Sequence, residues 1–183
     1  MQEIKEVLRN RPHDETFDRP ITWPEGSKMP YYQGCIKECL RYHPALGQIL
    51  PRIVPEGGIE LCGHFLPEGT TVGCNAFTIH RDKDLFGQDA DDFRPERWLE
   101  GNPEQIRKME TLNFWFGAGP RVCIGKNIAM LELTKFIPEF FRRFEVTITD
   151  PSRYTHHNIG GWVCPQKGLD AQIKLRDQKA LLA

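Results

Sequence analysis

The sequence predicts a mainly α-helical fold with small β-sheets, an α+β class, formed by one domain over residues 1–183. Two segments, 31–43 and 126–143, place apolar side chains at helical spacing, whereas residues 48–74 alternate short apolar runs with glycine-containing turns. Residues 83–113 are polar and rich in turn residues. With 183 residues, of which 39% are hydrophobic, the chain is long enough to bury one core.

The first two helices follow from spacing and from stop signals. Residues 1–9 are expected to form a charged helix that Asn10 and Pro12 end. A loop containing proline and glycine leads to the helix at 31–43. Four apolar side chains of that helix lie on one face: Tyr32, Ile36, Cys39 and Leu40.

Short strands follow the second helix. We expect strands at 48–54, 59–65 and 70–74, because turn sequences at 56–58 and 67–69 separate them. The polar segment after these strands is expected to be loop-like.

The last helix, 126–143, contains Pro138, a residue that bends helices. Its apolar face is formed by Ile128, Leu131 and Phe136, with Phe140 and Phe144 continuing it. Strands at 144–148 and 169–175 are expected to close the chain.

Composition argues against several classes of protein. The formal net charge is −1 and there is no run of basic residues, so a nucleic-acid partner is not expected. None of the six cysteines forms a CxxC pair, and Cys35 and Cys39 are expected to be packed thiols in a reducing compartment. No run of about eighteen apolar residues predicts a membrane span, and the N-terminus lacks the apolar core of a signal peptide.

The segment FGAGPRVCIG places Cys123 between glycines and directly before the last helix. The positive end of a helix and nearby backbone N–H groups favour a thiolate, the form that binds iron. Gly117, Gly119 and Gly125 allow the backbone to pass close to a flat macrocycle, and the Arg121 guanidinium is suited to a carboxylate. Taken alone, Cys123 could be an ordinary buried cysteine, which is the commoner fate of a cysteine.

This segment resembles the haem-binding loop of the cytochrome P450 family. The family pattern F-x-x-G-x-R-x-C-x-G is matched at Phe116, Gly119, Arg121, Cys123 and Gly125. The resemblance implies that Cys123 is the axial thiolate ligand of haem b and that Arg121 binds a haem propionate. It covers almost the whole chain, which corresponds to the C-terminal part of the family's fold, and it makes residues 1–183 a single partial domain.

Two further motifs agree with the haem loop. Glu38 and Arg41 form an E-x-x-R pair on the helix at 31–43, and the sequence around Arg97, FRPERW, resembles the family's P-E-R-F segment with Trp98 in place of Phe. The resemblance implies that Glu38, Arg41 and Arg97 form a buried charge cluster. It also implies that residues 83–113 correspond to the family's meander. Without it, an exposed helix salt bridge and a surface turn would explain the same residues.

The remaining polar candidates are less specific. Arg52 in HPALGQILPR corresponds to a second propionate ligand of the family, although an exposed arginine explains it as well. His80 is not expected to bind iron, because the family has one protein ligand. A cysteine/histidine metal site at Cys62, His64, Cys74 and His80 is a weaker alternative that matches no known zinc spacing.

The resemblance implies a haem-thiolate monooxygenase that inserts one oxygen atom from O2 into a small hydrophobic organic substrate, with electrons from NADPH–cytochrome P450 reductase. The amino-acid sequence of the last helix is most similar to that of fungal P450s of secondary metabolism, of the pisatin-demethylase-like group. Intact members of that kind lie at the cytoplasmic face of the endoplasmic reticulum membrane. This chain shows no anchor and is expected to be cytoplasmic.

The alternative is a truncated, non-catalytic remnant. The family's oxygen-activating segment, A-G-x-[DE]-T-[TS], does not occur in the sequence, so no catalytic residue is assigned. Apolar faces that other helices cover in the family would be exposed here. We therefore expect the chain alone to be marginally stable and to bind haem weakly, if at all.

Overall fold

The computed structural model describes residues 1–12, 19–153, 163–166 and 168–177. Within these residues the chain forms seven α-helices, three two-stranded sheets and three short 3-10 turns. The expected mainly helical fold with small sheets is therefore confirmed. No helix in the described part of the chain is both long and apolar enough to cross a membrane.

The helices vary widely in length. They are α1 (Gln2–Arg9), α2 (Trp23–Gly26), α3 (Pro30–Tyr42), α4 (Ala76–Ile79), α5 (Lys83–Phe86), α6 (Pro103–Leu112) and α7 (Lys126–Arg143). The 3-10 turns lie at Pro95–Trp98, Gly119–Arg121 and Pro151–Arg153. The helix with the E-x-x-R pair begins at Pro30, which occupies a first-turn position where no backbone N–H is needed.

All three sheets are antiparallel pairs. The strands are β1 (Leu50–Ile53), β2 (Ile59–Leu61), β3 (His64–Leu66), β4 (Thr71–Cys74), β5 (Phe144–Ile148) and β6 (Ala171–Leu175). Strand β1 pairs with β4, with Leu50 opposite Cys74, and β5 pairs with β6, with Phe144 opposite Leu175. The β2–β3 pair is a tight hairpin.

The single strand predicted at 59–65 is wrong, because the chain reverses in its middle. Cys62 and Gly63 both have positive φ angles, 52° and 76°, and they separate β2 from β3. Two successive positive φ angles are the geometry of a type I′ hairpin turn. The signal for this turn is weak, since cysteine is not a residue that commonly adopts the left-handed region.

The loop-like interpretation of 83–113 is also wrong in part, because this segment contains α5, the turn at Pro95–Trp98 and the ten-residue helix α6. The Asn102 side chain accepts a hydrogen bond from the Glu104 N–H at 2.9 Å, and Pro103 follows as the first helical residue. Asparagine followed by proline is a helix start signal. The inward face of α6 is short, with Met109 as its buried residue, so its periodicity is weak.

Two clusters of apolar side chains form the core. The first lies between α1 and the start of α3 and contains Ile4, Leu8, Ile21 and Met29. The second contains Leu85, Phe86, Ala90, Trp98 and Met109. Trp115 packs against the second cluster, with its ring centre 5.5 Å from that of Trp98.

The buried face of α7 differs from its most apolar face. Thr134, Pro138 and Arg142 are buried, one helical turn apart from each other. Pro138 has no N–H to donate to the Thr134 carbonyl, which leaves that oxygen without its helical partner. A Cβ added to Gly26 of α2 would lie 2.2 Å from the same oxygen, so α2 packs directly against α7 at Thr134. Four large apolar side chains of α7 are exposed instead: Ile128, Leu131, Phe136 and Phe141.

Candidate functional site

The cysteine loop, residues 116–125, is closed by its own backbone. The Cys123 N–H donates to the Phe116 carbonyl at 2.8 Å, and the Val122 N–H donates to the Gly119 carbonyl at 3.1 Å. Gly117 and Gly119 have φ angles of 76° and 67°, which side-chain-bearing residues rarely adopt. These two glycines therefore allow the loop to turn tightly enough to bring Cys123 back beside Phe116.

The Cys123 side chain is exposed at the N-terminus of α7. Gly125 is the N-cap of that helix and supplies no side-chain cap, and no acidic residue lies in the first turn. Neither a side-chain cap nor a first-turn carboxylate therefore offsets the partial positive charge of this helix end. The interpretation of Cys123 as an ordinary buried cysteine is wrong.

An exposed thiol beside an uncapped helix end fits a thiolate ligand of a haem iron. A Cβ added to Gly119 would meet no atom within 4 Å, so the loop leaves open space on that side. Ile124 and Val122, which flank the cysteine, are exposed apolar residues. The residues present therefore suit a large apolar ligand with a metal centre.

The two arginines expected to bind propionates are both exposed. Arg121 lies in the 3-10 turn of the loop, and no ion pair joins it to a carboxylate among the described residues. Arg52 lies on β1, where its Nη1 donates to the Pro51 carbonyl at 2.8 Å. A Cβ on Gly117 would lie 3.5 Å from the side chain of Leu50, and Leu50 and Arg52 share one face of β1 because they are two residues apart.

Glu38 is fully buried and is the acceptor at the centre of a charge network. Its carboxylate receives five hydrogen bonds between 2.8 and 3.0 Å, from Arg41 Nε, Arg41 Nη2, the Arg94 N–H, Arg97 Nε and Trp98 Nε1. Burial alone would raise the pKa of Glu38, but the hydrogen bonds from Arg41, Arg94 and Trp98 hold it below its usual value. Glu38 is therefore ionised at neutral pH.

The guanidinium of Arg41 is also buried and uses every donor it has. Besides its two bonds to Glu38, Nη1 donates to the carbonyls of His80 and Ala90, and Nη2 donates to the Asp92 carbonyl. Because these acceptors belong to the segment after α4, Arg41 fastens α3 to that segment. The exposed helix salt bridge considered as an alternative does not describe this pair.

Arg97 completes the network from the turn at Pro95–Trp98. Its Nε donates to Glu38 at 3.0 Å, and its remaining donors reach the Phe86 carbonyl, the Asp89 side chain and the carbonyls of Asp89 and Asp92. The network of Glu38, Arg41 and Arg97 is consequently paired at every charged group. Full pairing is the condition under which buried charges are tolerated.

Trp98 is a member of the network that sequence reasoning missed. Its indole N–H donates to Glu38 Oε2 at 2.9 Å, while its ring packs in the second core cluster. The signal was present in FRPERW, since tryptophan differs from phenylalanine in this position by carrying a hydrogen-bond donor.

His80 is fully buried and both of its ring nitrogens have partners. Nδ1 lies 3.1 Å from the Arg41 carbonyl, and Nε2 accepts the Phe114 N–H at 3.0 Å. Since a carbonyl can only accept, Nδ1 carries the proton and the ring is neutral. This arrangement agrees with the expectation that His80 is not an iron ligand.

The alternative metal site is not assembled. Among the residues that the structure describes, no group of three or more His, Cys, Asp or Glu side chains is placed to hold a metal ion. Cys62 lies in the β2–β3 turn and Cys74 at the end of β4, whereas the two nitrogens of His80 are both occupied.

His80 makes folding stability depend on pH. Burial, followed by repulsion from Arg41 and Arg81, lowers its pKa from 6.5 to about 4, against the opposing effect of its bond to the Arg41 carbonyl. Between these two values the unfolded chain binds more protons than the folded chain, so stability falls as the pH falls from 6.5 towards 4. The loss expected from His80 alone between pH 7 and pH 4 is about 3 kcal/mol, measured by chemical unfolding at both pH values as the difference in this loss between the wild type and His80→Gln. In a His80→Gln variant this contribution should disappear, and an unchanged pH slope would contradict the assignment.

The fold and the site together define the class: a mainly helical protein that presents a cysteine from a glycine-rich loop and contains a fully paired, buried carboxylate–guanidinium network. The profile of one protein family, Cytochrome P450, matches residues 1–173. The chain belongs to the cytochrome P450 family. Members of this family hold a haem iron through a cysteine thiolate and generally receive electrons from a reductase.

Individual relatives support the same conclusion. Cytochrome P450 monooxygenase esdpH of Penicillium shearii is 40% identical over 181 residues, which are 98% of this chain and 36% of that protein. Pisatin demethylase of Fusarium vanettenii is 49% identical over 146 residues, 78% of this chain and 27% of that protein. A solved structure of a zebra fish cytochrome P450 with abiraterone has a TM-score of 0.76 and 26% identity, and the match covers 96% of this chain and 39% of that one. The chain thus spans well under half of the length of these relatives.

Proposed function

We propose that this chain is the haem-binding part of a haem-thiolate monooxygenase that inserts one oxygen atom from O2 into a small hydrophobic organic substrate. One observation carries the proposal: Cys123 is exposed at the uncapped N-terminus of α7, in a loop that matches the family pattern. Similarity to named fungal monooxygenases supports the reaction class.

The proposed cofactor is haem b with the Cys123 thiolate as its axial ligand. When bound, a thiolate-ligated haem supplies an electron-rich iron that favours cleavage of the O–O bond. The Cys123 side chain lies at the N-terminus of α7, the end of a helix at which anionic groups are stabilised. Gly119 and Gly125 keep side chains away from the macrocycle, and the Phe116 carbonyl closes the loop by accepting the Cys123 N–H.

Arg121 and Arg52 are the proposed partners of the haem propionates. A planar guanidinium binds a carboxylate through two parallel hydrogen bonds, and both side chains are exposed on elements that border the cysteine loop. Glu38, Arg41 and Arg97 act at a distance from the cofactor. Their network holds α3 against the meander and so fixes the scaffold from which the loop projects.

Substrate and partners are inferred from the relatives. We propose a small hydrophobic substrate of secondary metabolism, because the similar fungal proteins include pisatin demethylase. The proposed electron donor is NADPH–cytochrome P450 reductase, and the proposed location of the complete enzyme is the cytoplasmic face of the endoplasmic reticulum membrane. With a net charge of −1, the chain offers no general attraction to nucleic acid.

A second candidate is favoured by the exposed apolar face of α7. Ile128 and Phe136 are each more than 60% exposed, and a cavity of about 550 Å³ between α1, α3 and α7 is lined almost entirely by apolar side chains. A polypeptide with this much uncovered apolar surface could keep the haem-binding loop without turning over. This candidate is a non-catalytic P450 remnant.

The carbon monoxide difference spectrum of the reduced protein, expressed with haem supplied, tests the proposal. We expect a red-shifted Soret band typical of thiolate ligation, at sub-stoichiometric occupancy because the exposed faces weaken haem retention. A band typical of histidine-bound or free haem, or no band, would contradict thiolate ligation by this chain and favour the remnant. With the band present, substrate-dependent oxygen insertion in the presence of the reductase separates an enzyme from a haem-binding remnant.

A further inference from the structure

A continuous path of hydrogen bonds joins the E-x-x-R helix to the cysteine loop. The Arg41 carbonyl accepts from His80 Nδ1 at 3.1 Å, and His80 Nε2 accepts the Phe114 N–H at 3.0 Å. The Phe114 carbonyl accepts the Gly117 N–H at 3.3 Å, and the Phe116 carbonyl accepts the Cys123 N–H at 2.8 Å. His80 is the side chain in this path that connects two segments far apart in the sequence.

We propose that His80 is a positioning residue for Cys123. It accepts the N–H of Phe114, two residues before the cysteine loop, and this sets the place of the Phe116 carbonyl on which the loop closes. The part of the proposal that concerns iron ligation rests on the proposed function, whereas the positioning of the loop backbone does not.

A histidine is suited to this position because its two nitrogens lie on opposite sides of a rigid ring. One nitrogen donates to the helix carbonyl, and the other accepts from the loop. The Phe86 ring packs edge-on against the imidazole with ring centres 6.2 Å apart, and Arg41 and Arg81 are the neighbouring cations. An aliphatic side chain here would leave the Phe114 N–H without its partner in the interior, which costs more than the bond itself contributes.

The alternative is that His80 has only a structural role and fills space in the core. In that case a replacement would lower stability throughout the chain, with no preference for the cysteine loop. A positioning role predicts instead that the loop loosens more than the rest of the molecule. Protection of the loop should then return only in a variant whose side chain replaces the accepting nitrogen, Nε2.

Backbone hydrogen exchange of the full chain without haem, followed by mass spectrometry of peptides covering 114–125, distinguishes these roles. His80→Leu should raise the exchange rate of these peptides by about tenfold, the effect of one net hydrogen bond to a buried group. His80→Gln, whose amide oxygen reaches the place of Nε2, should stay within about twofold of the wild type. Met29→Ala, in the other core cluster, is the control for general destabilisation.

The proposal is overturned when His80→Leu exposes the loop no more than Met29→Ala does. If His80→Leu fails to fold, the comparison of His80→Gln with His80→Asn replaces it. Asparagine places its amide near Nδ1 and leaves the Phe114 N–H without an acceptor, so His80→Asn should expose the loop to exchange. Equal protection of the loop in His80→Gln and His80→Asn contradicts the role of Nε2. Because exchange is measured without haem, absence of haem binding in the wild type would overturn the proposed function and leave this result standing.

In the haem-loaded protein the same variants have a spectroscopic consequence. His80→Gln should keep the thiolate-type carbon monoxide band, and His80→Asn should shift intensity to the band of haem that has lost the thiolate. Equal bands from both variants would mean that the loop holds Cys123 without help from His80.

Discussion

Replacing Cys123 by serine is expected to abolish the thiolate-type carbon monoxide band and to leave folding stability almost unchanged. The side chain is exposed and the hydrogen bond that closes the loop uses the backbone N–H of residue 123, which serine retains. Exposed substitutions of this kind change stability by less than about 0.5 kcal/mol. A serine hydroxyl is not deprotonated near neutral pH, so the soft anionic ligand disappears.

The measurement is the reduced carbon monoxide spectrum together with a thermal melt followed by circular dichroism. Cys62→Ser is the matched control, because Cys62 is also exposed but lies in the β2–β3 turn. The control should keep both the band and the melting temperature. A thiolate-type band that persists in Cys123→Ser would assign the ligand to another cysteine.

Local patterns in the sequence, together with the family resemblance that they carry, predicted part of the site. The spacing of Glu38 and Arg41 on one helix, and the fixed positions around Cys123, depend on neighbours within a few residues. Such patterns report local geometry directly. The helix that follows the cysteine likewise runs over Lys126–Arg143, because its start is marked by the glycine loop and its length by sustained periodicity.

Contacts between distant segments could not be derived in the same way. His80 lies 34 residues from Phe114, and Trp98 lies 60 residues from Glu38, so neither hydrogen bond has a spacing rule. The hairpin turn at Cys62 was missed for a different reason. Its residue type is uncommon in the left-handed region, and only the pairing of β2 with β3 forces it there.

Replacing Glu38 by glutamine is expected to cost about 3 to 5 kcal/mol of folding stability, the usual effect of breaking a buried ion pair from one side. The Arg41 and Arg97 guanidiniums would both lose their shared counter-charge while remaining buried. Glutamine also turns one of the two accepting oxygens into a donor, which faces either the guanidiniums or the Trp98 indole N–H. A loss of this size is comparable to the whole stability of a marginal domain.

Urea unfolding of Glu38→Gln and Glu110→Gln measures this cost against a surface pair. Glu110 forms an ion pair with Lys37 on partly exposed side chains, and its replacement should cost less than about 1 kcal/mol. Equal unfolding midpoints in the two variants would show that the buried network does not hold the scaffold. Comparing Cys123→Ser with Glu38→Gln also separates loss of the iron ligand from loss of the fold. Cys123→Ser should lose the haem-thiolate band in a folded chain, whereas Glu38→Gln should lose the band because the chain that carries Cys123 no longer folds.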